Sequence, residues 1–227
     1  AGMMLAWKIL TSPDPSDELP LQDYLDIPDS YFIGADVFYD FLNMNKLLDT
    51  VNQKYKPREV VEAEYPQVQQ RFLQGTFPKG IVDRLKEVLS HLGKQPLIVR
   101  SSSLLEDSLG TAFAGKYNSY FCPNQGTLEE NLQALLQAIA LVYSGVMGPD
   151  AIFYRRHMGL IDYDERMAIL LQKVEGAQYR HFYFPALAGV AFSHNPFRWT
   201  PKIEREAGLL RMVAGIGTRA VDRVAND

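Results

Sequence analysis

The spacing of apolar residues along the chain changes near residue 97. Before that point, apolar residues recur every three or four positions, which is typical of helices with one buried face. After it, short apolar runs bounded by glycine and proline occur between further helical stripes, and such runs favour strands. Helices first, followed by strands mixed with helices, predict an α+β fold with a mainly helical N-terminal part.

The individual segments follow from the same pattern. Helical spacing predicts helices over 36–51, 58–73, 78–92, 128–145 and 149–158, and Gly93, Gly145 and Gly159 lie where the third, fourth and fifth would end. A capping box formed by Thr127 and Glu130 marks the start of the fourth helix. Short apolar runs predict strands over 97–99, 117–121, 167–174, 187–193 and 209–213. Residues 11–30 are rich in proline, aspartate and serine, and they predict loops and turns.

Composition limits the class of protein and its partners. A chain of 227 residues is long enough for one large domain or two small ones. A hydrophobic fraction of 47% with 22% charged residues is typical of a folded protein. The 23 basic residues are outnumbered by 27 acidic residues, which argues against a nucleic-acid-binding surface.

Cysteine content and hydropathy point to the compartment. Cys122 is the only cysteine, so an intrachain disulfide and a cysteine-based zinc site are both excluded. No uninterrupted run of 18 apolar residues occurs, which predicts that the chain does not enter a membrane. We therefore expect a cytoplasmic protein.

One segment combines residues suited to anion binding. The apolar run 97–99 leads directly into Arg100 and three serines, and a stretch with Gly110 and Gly115 follows. A guanidinium can hold phosphate oxygens with two parallel hydrogen bonds, and glycines allow close approach of the backbone to a ligand. The segment therefore predicts a phosphate site at the end of a strand, with Ser119 as a further hydroxyl.

A plainer interpretation of the same residues remains open. Arg100 could instead pair with Glu106 or Asp107 at a turn. The segment matches neither the GxxxxGK[ST] nor the GxGxxG spacing, so the common phosphate-loop signatures do not decide between the two.

A family resemblance favours the phosphate interpretation. The segment VRSSSLLEDSLGTAFAGKYNSYF resembles the signature of the N-terminal nucleotide-binding domain of phosphoenolpyruvate synthase and pyruvate phosphate dikinase. Four more blocks resemble that family in order and approximate spacing: DAIFYRRHMGL, AILLQKV, AGVAFSHNP and VAGIGTRAVD. A weaker similarity begins near residue 27, so the resemblance covers most of the chain.

The resemblance implies an ATP-grasp-like fold, in which ATP lies between two α+β subdomains. Residues 1–174 would hold a helical segment and the first subdomain, and residues 175–227 the start of an incomplete second one. Arg100 would contact phosphate, Gly115 and Ser119 would also line the nucleotide site, and Gln172 would be a polar residue on the adenine side. A solvent-facing strand residue is the alternative for Gln172.

Departures from the family pattern limit what this chain could do alone. The family's Gly-Gly-Lys-Gly segment, its metal-binding glutamate and its phosphohistidine motif are not found in these 227 residues. The resemblance thus implies an ATP-binding piece of a longer phosphotransferase, truncated at the C-terminus and inactive by itself. No catalytic or metal-ligating residue is predicted here, and magnesium ligands are expected outside this segment.

The implied partners are ATP and the phosphohistidine and pyruvate-binding domains of the same full-length chain. ATP would phosphorylate a histidine in a separate domain, and the phosphoryl group would pass on to pyruvate. Two other functions stay open: a non-catalytic nucleotide-sensing domain, and an interaction module that has kept the fold without a ligand. The final acceptor and the oligomeric state are not predicted.

Overall fold

A computed structural model of the chain describes residues 5, 8, 9, 12, 23–106, 115–195, 200, 202 and 204–217. Within it the chain divides into two compact units, Ala1–Val174 and Glu175–Asp227. Several predicted features lie outside the described residues. They are most of the loop predicted at 11–30, residues 107–114 with Asp107 and Gly110, and the end of the VAGIGTRAVD block.

Three helices and a 3-10 segment precede the central strand. They are α1 (Ala35–Met44), the 3-10 segment Leu48–Tyr55, α2 (Arg58–Leu73) and α3 (Lys79–Leu92). The stripe over 36–51 predicted one helix, but the structure divides it at Asn45. The Asn45 amide donates to the Phe41 carbonyl over 2.8 Å and so ends α1, and Lys46 takes a positive φ of 54°.

The first unit contains a four-stranded antiparallel sheet in the order β1-β4-β2-β3, so β1 is an edge strand. Its strands are β1 (Ser30–Ile33), β2 (Leu97–Ser103), β3 (Tyr120–Cys122) and β4 (Met167–Lys173). The strand predicted at 97–99 extends to Ser103, because all seven β2 residues pair with β4. Long-range pairing of this kind overrides the weak strand preference of the three serines.

One face of this sheet packs against helices. Leu97, Val99, Ile169 and Leu171 are all fully buried on that face, beneath α4 (Leu128–Gly145). An aromatic cluster continues this core among the helices, with Phe41 and Phe77 ring centroids 4.5 Å apart. Burying each such side chain stabilises the fold by about 2–3 kcal/mol. The core therefore fixes which face of the sheet is left for function.

The starts of the two later helices follow their local sequence. The Thr127 hydroxyl accepts from the Glu130 N–H, and the Glu130 carboxylate accepts from the Thr127 N–H over 2.8 Å, which confirms the capping box. The helix α5 (Pro149–His157) begins with a proline, whose missing N–H is not needed in the first turn.

One helical segment is apolar enough to be compared with a membrane-spanning helix. Among the described residues, Leu128–His157 has the length and composition of a membrane-crossing helix, yet 67% of its apolar window is buried inside the fold. Such burial is typical of a core helix.

The second unit consists of two antiparallel strand pairs. They are β5 (Ala177–Tyr179) with β6 (Phe182–Phe184), and β7 (Leu187–Phe192) with β8 (Leu209–Ala214). Gly189 allows close approach of the second pair, since a Cβ there would lie 2.4 Å from the Arg211 carbonyl oxygen. Helices together with antiparallel sheets confirm the α+β class.

Candidate functional site

Arg100 is the fourth residue of β2 and lies opposite Leu170 of β4. Its side chain is exposed, whereas Leu97 and Val99 are buried on the helix-packed face. Among the described residues, which leave out 107–114, the Arg100 side chain makes no hydrogen bond or ion pair. Within this described part of the chain, the donors of its always-charged guanidinium are not used by protein groups.

The acid that could have neutralised Arg100 is engaged elsewhere. Glu106 accepts a hydrogen bond from the Ser101 hydroxyl over 2.9 Å and another from the Ser103 N–H over 3.1 Å. The alternative of an Arg100–Glu106 ion pair is therefore not found in the structure. The other acid of that alternative, Asp107, lies outside the described residues. Ser101 is not free to donate alongside Arg100, and of the three serines only Ser102 shares its face by strand alternation.

Gln172 lies on the same face of the sheet as Arg100. It is half-buried in β4, where it pairs with Ser30 on one side and Ile98 on the other. Its amide donates to the Ser30 hydroxyl over 3.2 Å. Because Gln172 is diagonal to Arg100 across the β2–β4 ladder, the two positions are about 7–8 Å apart.

Ser119 lies just before β3 and is exposed. The β2–β3 register pairs Val99 with Tyr120, so its continuation by one residue places Ser119 opposite Arg100. The topology thus brings Arg100 and Gln172 to one face of the sheet, and extension of the β2–β3 register would add Ser119, although the three residues come from separate parts of the sequence.

The surroundings of Gly115 differ from those of Arg100, Ser119 and Gln172. It adopts a positive φ of 78°, a conformation that glycine tolerates better than other residues. It lines a small cavity of about 90 Å³ on the helix-packed side, together with Tyr65 of α2 and Gly148 before α5. The structure therefore separates the environment of Gly115 from the face that carries the other three residues.

Two aromatic residues on the Arg100 face were not identified from the sequence. Phe32 pairs with Leu170 in the same cross-strand row as Arg100, and it is 49% exposed. Phe121 pairs with Ile98 and is 52% exposed. Alternation within SYFI could have indicated an outward Phe32, but which face is outward depends on the helices. The face thus combines one cation, polar side chains and exposed rings.

The neighbouring arginines on α5 do not add to this site. Both Arg155 and Arg156 are used within the fold. Arg155 is buried, and Arg156 donates to the carbonyl oxygens of Lys54 and Lys56. Main-chain carbonyls occupy donors that a phosphate would need, so a phosphate role for this pair has no support in the structure.

The acidic segment 162–166 forms a charged turn. Asp162 accepts from the Tyr55 hydroxyl over 2.6 Å, and Asp164 accepts from Tyr39 and from Arg166. The hydrogen bond from Tyr39 is the main cause of a lowered Asp164 pKa. Among the described residues there is no group of three or more His, Cys, Asp or Glu side chains that could hold a metal ion.

Comparison with known families gives a match over nearly the whole chain. Residues 17–227 match the model of the family described as pyruvate phosphate dikinase, AMP/ATP-binding domain. The matched range includes the sheet, the helices around it and both units.

Three curated proteins are similar to this chain. An uncharacterized phosphotransferase, YvkC, from Bacillus subtilis is 27% identical over 174 residues, which is 76% of this chain and 18% of that protein. The phosphoenolpyruvate synthase of Aquifex aeolicus is 25% identical over 159 residues, covering 65% of this chain and 18% of its own length. A probable phosphoenolpyruvate synthase of Methanocaldococcus jannaschii is 21% identical over 183 residues, covering 76% and 14%. The chain thus spans less than a fifth of each relative.

Proposed function

Because the chain belongs to the pyruvate phosphate dikinase AMP/ATP-binding domain family, we propose that it binds ATP on the sheet face that carries Arg100, Ser119 and Gln172. The observation that carries the proposal is the exposed guanidinium of Arg100 on that face, which has no side-chain partner among residues 23–106 and 115–195. An exposed arginine without an acidic partner is suited to a phosphate chain, whose oxygens accept two parallel hydrogen bonds.

Each residue has a chemical role in this proposal. Arg100 neutralises phosphate charge, and the Ser119 hydroxyl donates a further hydrogen bond. Gln172 contacts the adenine side with its amide. Gly115, on the helix-packed side, contributes indirectly, because its positive φ sets the turn from which the segment leads towards Ser119. Phosphoryl transfer depends mainly on such positioning and charge neutralisation.

We also propose that the two units correspond to parts of an ATP-grasp-like fold. Residues 1–174 would be a helical segment plus the first subdomain, and residues 175–227 the start of the second. Support comes from burial: Asn195 is the only buried residue among those described in the second unit, so that part of the unit shows no apolar core of its own.

Magnesium belongs to the proposed chemistry, but the described residues do not fit a magnesium site. Such an ion is usually held by one or two carboxylates together with phosphate oxygens and waters, and Asp162 and Asp164 are occupied by tyrosines and cations. We propose that its ligands lie elsewhere in the full-length chain.

The full-length protein would be a cytoplasmic phosphotransferase in this proposal. ATP would phosphorylate a histidine in a separate domain, and pyruvate would be the later acceptor. The support is the similarity to two proteins named as phosphoenolpyruvate synthases and one named as a phosphotransferase. Within the 227 residues alone, we propose nucleotide binding without turnover.

Substitution of Arg100 tests the proposal. We expect Arg100→Met to weaken ATP binding by about 10- to 100-fold, because hydrogen bonds to a charged group contribute about 1.5–3 kcal/mol. Isothermal titration of ATP into the 227-residue chain is the measurement. Arg58→Met, on α2, where the guanidinium contacts Glu62 and the Phe153 ring, is the matched control and is expected to leave affinity within about two-fold.

Four outcomes would contradict this assignment. Equal losses in Arg100→Met and Arg58→Met would show a non-specific charge effect. Binding without any histidine phosphorylation in the full-length protein would favour a nucleotide sensor, and no binding at all would favour an interaction module. ATP hydrolysis that depends on Arg100 in the 227-residue chain would refute the proposed inactivity of the segment.

A further inference from the structure

Arg155 is a buried arginine whose charge lies behind the proposed nucleotide face. Only 4% of its surface is exposed. One end of its guanidinium donates to the Val146 carbonyl over 2.6 Å, which ties it to the connection between α4 and α5. The other end donates to the Tyr117 hydroxyl over 3.2 Å. A buried charge is costly unless it is well paired, so these contacts hold the side chain in one orientation.

Tyr117 lies in the middle of the segment that joins two predicted nucleotide contacts. It follows Gly115 by two residues and precedes Ser119 by two. It is 6% exposed, and its ring lies 3.5 Å from where a Cβ of Gly145 would be. Burial raises the Tyr117 pKa, so the hydroxyl stays protonated while it accepts from Arg155. The tyrosine is thus the point at which this segment is fixed to the helices.

Acidic groups complete the surroundings of Arg155. Glu165 is 7% exposed and lies near the guanidinium of Arg155. Burial raises the pKa of Glu165, and the positive charge of Arg155 offsets part of this rise. Glu106 contributes charge to the same region, and it is held at the end of β2 by Ser101 and Ser103. The cluster therefore links α5, the end of β2 and the segment before β3.

We propose that Arg155 is a positioning residue for the nucleotide site, acting through Tyr117 on the segment from Gly115 to Ser119. It holds the backbone of this segment against α4 and α5, so that Ser119 meets the face of Arg100 in a fixed place. The inference rests on the proposed function for its consequence in binding, but the positioning itself is a property of the unliganded chain.

Hydrogen exchange in the unliganded chain tests the positioning. Tyr117→Phe keeps the ring and removes the acceptor, and Arg155→Met removes the donor. Both are expected to speed exchange of the amides of 115–119 by about ten-fold, with the amides of 169–171 in β4 unchanged. The double variant is expected to accelerate exchange by less than the product of the two single effects, because both single variants remove the Arg155–Tyr117 hydrogen bond, although each also removes a contact of its own.

Arg156→Met is the matched control, since it removes a guanidinium of the same helix that contacts the Lys54 and Lys56 carbonyls and the Phe153 ring but makes no hydrogen bond with Tyr117 among the described residues. It is expected to leave exchange of 115–119 unchanged. Equal acceleration in this control would show a general loosening of α5 and overturn the proposal. Unchanged exchange in Tyr117→Phe would also overturn it, and this variant decides the matter even if Arg155→Met does not fold.

ATP titration then tests the consequence for binding. Tyr117→Phe and Arg155→Met are expected to weaken ATP binding by about three- to ten-fold, while Arg156→Met does not. Affinity within two-fold of the unchanged chain, together with faster exchange, would refute the link to the nucleotide. If the unchanged chain binds no ATP, the proposed function fails, whereas the exchange experiment still decides the positioning.

Discussion

Three arginines show how neighbouring groups decide what one residue type does. Arg100 is exposed on the open face of the sheet and is unpaired among the described residues. Arg155 is buried and holds Tyr117, and Arg156 donates to two main-chain carbonyls. The guanidinium is always charged, so these differences come from donors already in use rather than from protonation. The role of each arginine therefore depends on which of its guanidinium N–H donors are not already bonded to protein groups.

Glu165 should make the protein less stable as the pH rises. Its pKa is raised above the ordinary value of 4.5, mainly because the carboxyl is buried, while Ser103, Arg155 and Tyr117 offset part of that effect. The folded state then holds the proton more tightly than the unfolded chain. The free energy of unfolding therefore falls as the pH rises from 4.5 through the raised pKa.

Glu165→Gln removes this titration. Urea unfolding at several pH values from 4.5 upward is the measurement, starting from the ordinary pKa of the group. We expect the stability of the unchanged chain, relative to the variant, to fall across that window. Glu129→Gln on exposed α4 surface controls for net charge. Parallel pH profiles for Glu165→Gln and the unchanged chain would rule out the assigned shift.

At the scale of elements, local signals and long-range pairing act differently. The start of α4 is set by Thr127 and Glu130, which are three residues apart. The end of β2 is set by pairing with β4, about seventy residues later in the chain. The first kind of boundary can be weakened by a single substitution, whereas the second depends on the whole sheet.

Thr127→Ala tests the local kind. The substitution removes the hydroxyl that accepts from the Glu130 N–H, and we expect it to lower the free energy of unfolding by about 1 kcal/mol. Urea denaturation is the measurement. Ser90→Ala, at an exposed position inside α3, removes a hydroxyl without a capping role and is expected to change stability by less than about 0.5 kcal/mol. Equal effects would show that the cap does not stabilise α4.

At the scale of the whole molecule, the core belongs to one unit. The buried apolar cluster runs from Ile33 to Leu171, entirely within residues 1–174. The cluster includes fully buried aromatic residues from α1, α2 and α4, and large side chains of this kind dominate core energetics.

We therefore expect residues 1–174 to fold without the rest of the chain. Urea unfolding of this fragment, followed by near-ultraviolet circular dichroism of the buried aromatic residues, should show one cooperative transition. Residues 175–227 alone are expected to show none, because their described part lacks a buried apolar cluster. A non-cooperative profile for 1–174 would mean that the second unit is required for the core.

Sequence patterns predicted what is encoded locally. The bounds of α2 and α3, the capping box and the strand 167–174 depend on neighbouring residues, and the structure has them within one or two positions. The break at Asn45 was missed, because the amide bonds to Thr76, 31 residues away, help to hold it. The burial of Arg155 was missed for the same reason.

The candidate site was predictable to a similar degree. Arg100 could be singled out because a cation follows an apolar run. That Ser119 and Gln172 share its face depends on the order and register of three strands, which no single segment contains. The different surroundings of Gly115 depend on helix packing, and Phe32 could not be assigned an outward side chain without knowing where the helices lie.

The position of β1 has a practical consequence for handling the protein. An outermost strand leaves one row of main-chain donors and acceptors unsatisfied by its own sheet, and such a row templates the addition of another strand. The half-exposed ring of Phe32 places an apolar surface beside it. We therefore expect Phe32→Lys to lower any association of concentrated samples through this edge.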